Sequence, residues 1–299
     1  MLWILTAVLG YFLFALGNLG DKFVLAGPPK PRSYTFWVAA GGFFVVLLVP
    51  FVGLSIPSPV LFGLSVSAGL AYLLGLYCLY TALEDCDVSR VMPALGGFLA
   101  IFTLILSSIF LDSKELFSAR NALAFTLLLC GSIAAVWEKG RSPAKINLKV
   151  VTAAAAFFAL NYVLSKMVFS EEGSFWQGLI WMRFSTLFFA LVFFARFAIP
   201  EALSSRPVFD KKTSIIFLLA QITGGGGALL ENVAVALAPE ARLPFIIVLQ
   251  GTQYLFLFLF TLLLSLKFNF FKEKISKQAI IQKITALVLL ASGLLLLAV

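Results

Sequence analysis

The sequence predicts an all-α integral membrane protein: ten transmembrane helices arranged as two inverted five-helix repeats. Three observations predict it. Hydrophobic residues make up 61% of the 299 positions and charged residues 12%, with a mean hydropathy of +1.03, where soluble domains carry about 25% charged residues. The chain divides at its charges and prolines into ten apolar stretches of roughly 20 residues, the length that spans a bilayer as a helix. One stretch is also written twice, since Phe14-Ala15-Leu16 returns as Phe158-Ala159-Leu160 and Lys22 as Lys166, both 144 residues further on.

The expected spans of the first half are roughly 2–25, 34–54, 59–83, 88–111 and 119–137. Helices rather than barrel strands follow from the uninterrupted apolar runs, because barrel strands alternate and are about half as long. The first stretch has no basic segment before its apolar run and continues into Asp21-Lys22, so it reads as a permanent helix and not a cleaved signal. The polar run Glu138 to Lys145 separates a first repeat, 1–138, from a linker, 139–148, and a second repeat, 149–299. Spans at roughly 149–169, 174–199, 213–238, 241–266 and 279–299 complete the set. Further matches keep the same order in both halves: Phe36-Trp37 with Phe175-Trp176, Arg90 and Pro93 with Arg242 and Pro244, and Gly131 with Gly293. Five helices is an odd number, so the second repeat enters the membrane from the opposite side. Secondary transporters are commonly built this way, with the substrate site near the midplane between the repeats.

The net charge of +8 is explained by topology. Seventeen of the 22 Lys and Arg fall in loops opposite the termini, three (Lys114, Arg120, Arg242) on the terminal side, and two, Lys166 and Arg183, within helices. No nucleic-acid partner is needed, and the positive-inside rule puts both termini outside. Lys139 through Lys149 reads as an anchor at anionic headgroups. The absence of histidine excludes imidazole metal sites and His-based triads. Cys78, Cys86 and Cys130 form no C-x-x-C pair. Glu84-Asp85-Cys86-Asp87 reads as a solvated loop, and no phosphate loop supports ATP-driven transport. No cofactor and no metal is expected.

Short motifs recur along the chain: Asn18 and Lys22 of the first helix with Asn161 and Lys166 of the sixth, Trp181-Met182-Arg183-Phe184, and Leu79-Tyr80-Thr81-Ala82-Leu83. Ser89-Arg90-Val91-Met92-Pro93 and the turn Leu111-Asp112-Ser113-Lys114-Glu115-Leu116 add to them. In these motifs and in its repeat the chain resembles the EamA-type transporters of the drug/metabolite transporter superfamily. The resemblance implies ten helices in two repeats, export, and termini in the cytoplasm, opposite to the charge count. Three departures stand out: Phe44 lies where the first repeat would carry the counterpart of Arg183, Leu266 to Phe271 replaces the second glutamate turn, and the orientation disagrees.

Polar groups inside spanning helices need a partner or an aqueous cavity, since a central charge costs about 2.5–3.5 kcal/mol on insertion scales. Arg183, about 12 Å into its helix at 1.5 Å per residue, reads either as an anion-recognising group or as the partner of a carboxylate such as Glu231. The run Gln221 to Asn232 contains four consecutive glycines, Gly224 to Gly227. It reads as a broken helix lining a site or as close helix packing, with Glu231 as the proton-coupling candidate. Gln250, Gln253 and Tyr254 share one helical face, as do Tyr77 and Tyr80. The expected cavity therefore holds Asn18, Tyr77, Tyr80, Asn161, Trp181, Arg183, Gln221, Asn232, Gln250, Gln253 and Tyr254, among helices one, three, four, six, eight and nine. Lys22 and Lys166 are candidate gates, or cations snorkelling to headgroups.

The expected function is secondary active transport, by alternating access, of a small polar or amphipathic metabolite. The chain would lie in the cell (inner or cytoplasmic) membrane as a monomer or homodimer, with the small-molecule substrate and the bilayer as its partners. A facilitative exchanger or a flippase for lipid-linked substrates is the alternative. An intramembrane enzyme would need a clustered nucleophile or metal set, which the sequence does not offer.

Overall fold

The computed structural model describes residues 1–24, 31–85, 88–111, 118–136, 147–171, 175–204, 211–267 and 277–298. Every regular element among them is helical. Helix α1 is Leu2–Val24; α2, Pro31–Gly42, continues through a 3-10 stretch, Phe43–Leu48, into the short α3, Val49–Val52. Helices α4 (Pro59–Asp85), α5 (Val88–Phe110) and α6 (Ala119–Val136) follow. Then come α7 (Leu148–Glu171), α8 (Phe175–Ser204) and α9 (Lys211–Leu237). A 3-10 turn, Glu240–Arg242, leads into α10 (Leu243–Val248), α11 (Gly251–Lys267) and α12 (Lys277–Ala298). Among the described residues, six segments are long and apolar enough to cross a membrane, and three shorter apolar helices lie at Ala94–Phe110, Ala119–Ala135 and Ile281–Leu297. The chain is an apolar helical bundle compatible with a multi-pass membrane protein. The linker 139–148 and the charged turns at 86–87, 112–117 and 268–276 lie largely or wholly outside the described residues.

Of the two readings of the tetraglycine run, close packing is the one realised, since α9 is helical from Lys211 to Leu237. The ninth expected span is broken instead, at Leu249–Gln250 between α10 and α11. The glycines serve close packing: a Cβ on Gly227 would fall 2.9 Å from the Gly10 carbonyl oxygen, and one on Gly10 3.1 Å from that of Gly227. Further along α1, a Cβ on Gly17 would fall 3.1 Å from the Ala220 oxygen. Helices α1 and α9 thus meet backbone to backbone, which only small residues permit.

Helix contacts recur in reciprocal pairs. A Cβ on Gly75 of α4 would meet the Phe158 ring of α7 at 2.8 Å, and one on Gly227 of α9 would meet the Phe14 ring of α1 at 3.0 Å. Here Phe14 and Phe158 are the repeated phenylalanines of the sequence. Between α6 and α12 the pairing is closer still. A Cβ on Gly131 would fall 2.8 Å from the Leu290 side chain, and one on Gly293 2.6 Å from that of Leu128. Arg120 donates to the Leu296 carbonyl at 2.7 and 2.8 Å, and Gln282 donates to the Ala134 carbonyl at 2.7 Å. In both of these α6–α12 pairs the second contact repeats the first 162 residues away with its members exchanged. The start of α6 therefore meets the end of α12 and the reverse, so the two run antiparallel. Each supplies donors to the other's orphan carboxyl-terminal carbonyls.

Gly131→Ala should destabilise the protein by about 1–3 kcal/mol through overpacking. Leu290→Ala in the same chain should recover part of that loss, so the double variant is more stable than the single effects sum to in thermal unfolding of detergent-purified protein. Strict additivity would mean that the two helices do not meet at this point.

Candidate functional site

A cavity of about 290 Å³ opens among α1, α4, α5, α7, α8, α9 and the α10–α11 break. Six of these are the helices expected from sequence, and α8 joins them. The polar surface comes from few side chains: Asn18 of α1, Asn161, Tyr162 and Ser165 of α7, Arg183 and Thr186 of α8, Glu231 and Asn232 of α9, and Gln250 and Gln253 at the break. Apolar walls are supplied by residues such as Leu76, Leu95, Phe158 and Leu179.

Glu231 is the hub. Its Oε1 accepts the Tyr162 hydroxyl at 2.8 Å and lies 3.1 Å from the Tyr11 hydroxyl. Tyr11 also reaches the Ile246 carbonyl at 2.8 Å, and the side chain is fully buried. The Ile246 carbonyl is one of those freed where α10 ends, because the Gln250 amide bonds to Ile247 instead. Next to it, Ser132 of α6 donates to the Val248 carbonyl, and Thr252 donates to Leu249 at 2.7 Å. Gly251 leaves the space that Ser132 occupies. The break is thus satisfied by hydroxyls from α1, α6 and α11, the condition under which irregular backbone is tolerated at membrane depth.

Arg183 projects into the same cavity with its guanidinium carbon 5.1 Å from the centre of the Tyr72 ring, a cation–π arrangement. Opposite lies Gly42, where a Cβ would sit 3.4 Å from both Cδ and Nη1 of the arginine. Among the described residues Arg183 forms no ion pair, so the expected alternative of a bond to Glu231 is not realised. Two of the lining amides are oriented by their donors. Asn161 Nδ2 donates to the Ala68 carbonyl at 3.0 Å and Asn232 Nδ2 to the Ala228 carbonyl at 2.8 Å, which leaves each Oδ1 as an acceptor.

Of the expected residues, Asn18, Asn161, Arg183, Glu231, Asn232, Gln250 and Gln253 line this cavity. Tyr77 does not, packing against Phe194 at 5.2 Å in a separate α4–α8 cluster. Tyr80 packs on the main core outside the lining. Trp181 turns the other way, its indole donating to the Ser55 carbonyl at 3.2 Å beside Phe62. Together with Gln177, which binds the Ser55 amide and the Gly53 carbonyl at 3.1 Å each, it holds the segment after α3. Gln221 is exposed on the outer face of α9, and Tyr254 lines a separate crevice near Ser132. Lys166, 6% exposed, donates to the Ala236 carbonyl at 3.1 Å, a cation at the carboxyl end of α9 and not in the cavity lining. The side chain of Lys22 lies outside the described residues.

Sequence reasoning missed Tyr11, Tyr72, Tyr162 and Gly42. Two had a signal, since Tyr11 is seven residues before Asn18 on the same helical face and Tyr162 adjoins Asn161. Tyr72 and Gly42 matter only through Arg183, and nothing local marks them.

No family model and no curated protein matches the chain. A solved structure described only as "Crystal structure of protein" superposes with a TM-score of 0.68 at 16% identity, over 98% of this chain and 96% of its own. At that identity the likeness concerns the fold alone: the helical arrangement is one that a solved protein of similar length also adopts.

Tyr11→Phe should lower stability by about 1–3 kcal/mol by leaving a buried carbonyl without its donor. Thr6→Val, whose hydroxyl bonds only within its own helix, should have a much smaller effect in the same unfolding measurement. Equal losses would remove Tyr11 as the link to the helix break.

Proposed function

We propose that the chain is a secondary transporter that moves a small polar or amphipathic metabolite across its membrane by alternating access. The observation that carries this reading is a cavity bounded by both halves of the chain, into which Arg183 and Glu231 project without pairing with each other. Charges at such depth are expensive unless they face water or a ligand. The helix break beside the cavity supports the same reading, because discontinuous helices line the sites of many transporters.

The reciprocal contacts support a repeat of five helices in opposite orientations. Under the exchange of halves, α1 on α9 corresponds to α7 on α4, and α6 on α12 corresponds to itself. All three are substantial packings. Elsewhere the halves differ, since α4 packs extensively on α8 while, among the described residues, α9 makes no comparable contact with α2. Where Gly69 of the first half closes against Met182 to Thr186 of the second, their counterparts under the exchange, Gln221 of the second half and Phe44 of the first, are exposed. That asymmetry is what one of two alternating conformations requires. The EamA-type resemblance agrees with this architecture and with export.

Proteoliposomes holding the protein should accumulate at least one solute from a panel of amino acids, nucleosides, sugars and sugar phosphates, saturably and above protein-free vesicles. A complete absence of movement across the panel and of headgroup flipping would overturn transport. With Glu231 as the proton carrier, an inward-acidic or inward-alkaline gradient should change the wild-type rate and leave Glu231→Gln unaffected. Gradient-driven uptake by Glu231→Gln would instead leave facilitated exchange. Lys166→Met should retain most of the uptake and lose stability by less than about 1 kcal/mol, as expected for an exchanged helix-end cation. Loss of uptake with unchanged stability would restore Lys166 as a gate.

A further inference from the structure

We propose that Arg32 and Arg196 form a phosphate site at the membrane interface, and that its ligand is the headgroup of an anionic phospholipid. The site lies apart from the cavity, where α2 begins and α8 nears its end, and the inference is independent of what the cavity carries.

Both arginines rest on one aromatic ring. The guanidinium carbon of Arg32 is 4.4 Å from the centre of the Phe197 ring, and that of Arg196 is 4.7 Å from it. Each is a cation–π arrangement, and together they hold two like charges no further apart than those two distances laid end to end. Both side chains are exposed, and among the described residues neither has a carboxylate or hydrogen-bond partner. Arg120 and Arg242, by contrast, are bonded to the Leu296 carbonyl and to Asn121. The side chain of Glu201, four residues beyond Phe197, lies outside the described residues. The first turn of α2 carries no acidic residue, so the partial positive charge of its amide end adds to the same patch. Two cations and a helix amino terminus repel one another unless an anion lies between them. The platform beneath is firm, because Phe36 of α2 and Phe194 and Ala198 of α8 are buried together.

Position selects the source of the anion. One apolar span begins at Pro31 and another ends at Pro200, so both arginines sit at span ends, the depth at which long cationic side chains reach headgroups. A guanidinium fork binds phosphate oxygens through paired hydrogen bonds. Phosphatidylglycerol brings its phosphate without a cation of its own, whereas the choline of phosphatidylcholine would face the two arginines. The pair belongs to one end of the molecule alone: the positions related to 32 and 196 by the offset of 139 are Glu171 and Pro57. Since α2 lies in the first half and α8 in the second, a bound headgroup ties the halves together on one side of the membrane.

The test is thermal unfolding of the full chain in phosphatidylcholine nanodiscs with and without phosphatidylglycerol. The anionic lipid should raise the wild-type unfolding temperature by about 2–4 °C. Arg32→Gln and Arg196→Gln should each lose most of that shift, and the double variant all of it. Arg196→Lys keeps the charge without the planar fork and should also lose most of it. Lys149→Gln removes an exposed cation at the start of α7 and should keep it. An unchanged shift in Arg196→Lys, or an equal loss in Lys149→Gln, would reduce the effect to diffuse surface charge and overturn the site. No shift in the wild type would overturn it too. So would arginine variants that are destabilised as much in phosphatidylcholine alone as with phosphatidylglycerol, because the pair would then serve the fold. Free phosphate offers the same chemistry from water, and inorganic phosphate or glycerol phosphate added to phosphatidylcholine nanodiscs should give no shift. A shift from these that the arginine variants lose, with none from phosphatidylglycerol, would put a soluble anion there and overturn the lipid.

Discussion

The Glu231 carboxylate, with the hydroxyls of Tyr11 and Tyr162 on one of its oxygens, is the interaction on which the rest of the centre depends. It joins α9 to α1 and α7, and through the second contact of Tyr11 it reaches the carbonyl exposed where α10 stops. A tyrosine hydroxyl has one hydrogen to give, so Tyr11 cannot donate to the carboxylate and to Ile246 at once. If it donates to Ile246, a proton on Glu231 completes the short contact between the two side chains; if Glu231 is ionised, the carboxylate competes for that hydrogen. The charge state of one side chain is thereby tied to the satisfaction of a helix break 15 residues further along the chain. An isolated acid on a helix face would have no such connection to the backbone.

That hub needs α1 and α9 to approach closely, and the glycines supply the approach. Gly10 and Gly227 bring the two backbones together one turn from Glu231, so of the two readings the run allows, a broken helix or close packing, it is the packing that serves the hub. The correspondence of Gly227 with Gly75, each against a repeated phenylalanine, gives one member of the run a definite partner. Gly224 and Gly225 face open space, and no contact accounts for them.

The helices were legible because a bilayer dictates their length and composition. Expected and observed spans agree within a few residues along most of the chain, and where they disagree the cause is tertiary. Helix α9 survives four glycines because its neighbour packs against them, and the ninth span breaks because Tyr11, Ser132 and Thr252 stand ready to bond the freed carbonyls. None of those donors is near the break in sequence except Thr252. The candidate site was legible where polarity is itself the anomaly, as at Arg183, Glu231 and Asn161. It was illegible for aromatic groups, because Tyr11 and Tyr162 differ from the structural Tyr77 only in what they face.

The two halves repeat their packing far more faithfully than their chemistry. Leu79 stands in α4 where α9 carries Glu231, and Phe44 stands where α8 carries Arg183. Leu79 nevertheless lines the cavity together with Glu231, as expected if a pseudo-two-fold axis passes through it. On the proposed mechanism, the related glycine contacts at Gly75 and Gly227 would let the halves exchange packings at little difference in energy, which a rocking motion needs. Arg183 and Glu231 do not share that symmetry and, on this mechanism, would stay with α8 and α9 whichever mouth is open. On the proposed mechanism the solute therefore meets the same ligands from either side, while the helices that admit it change places.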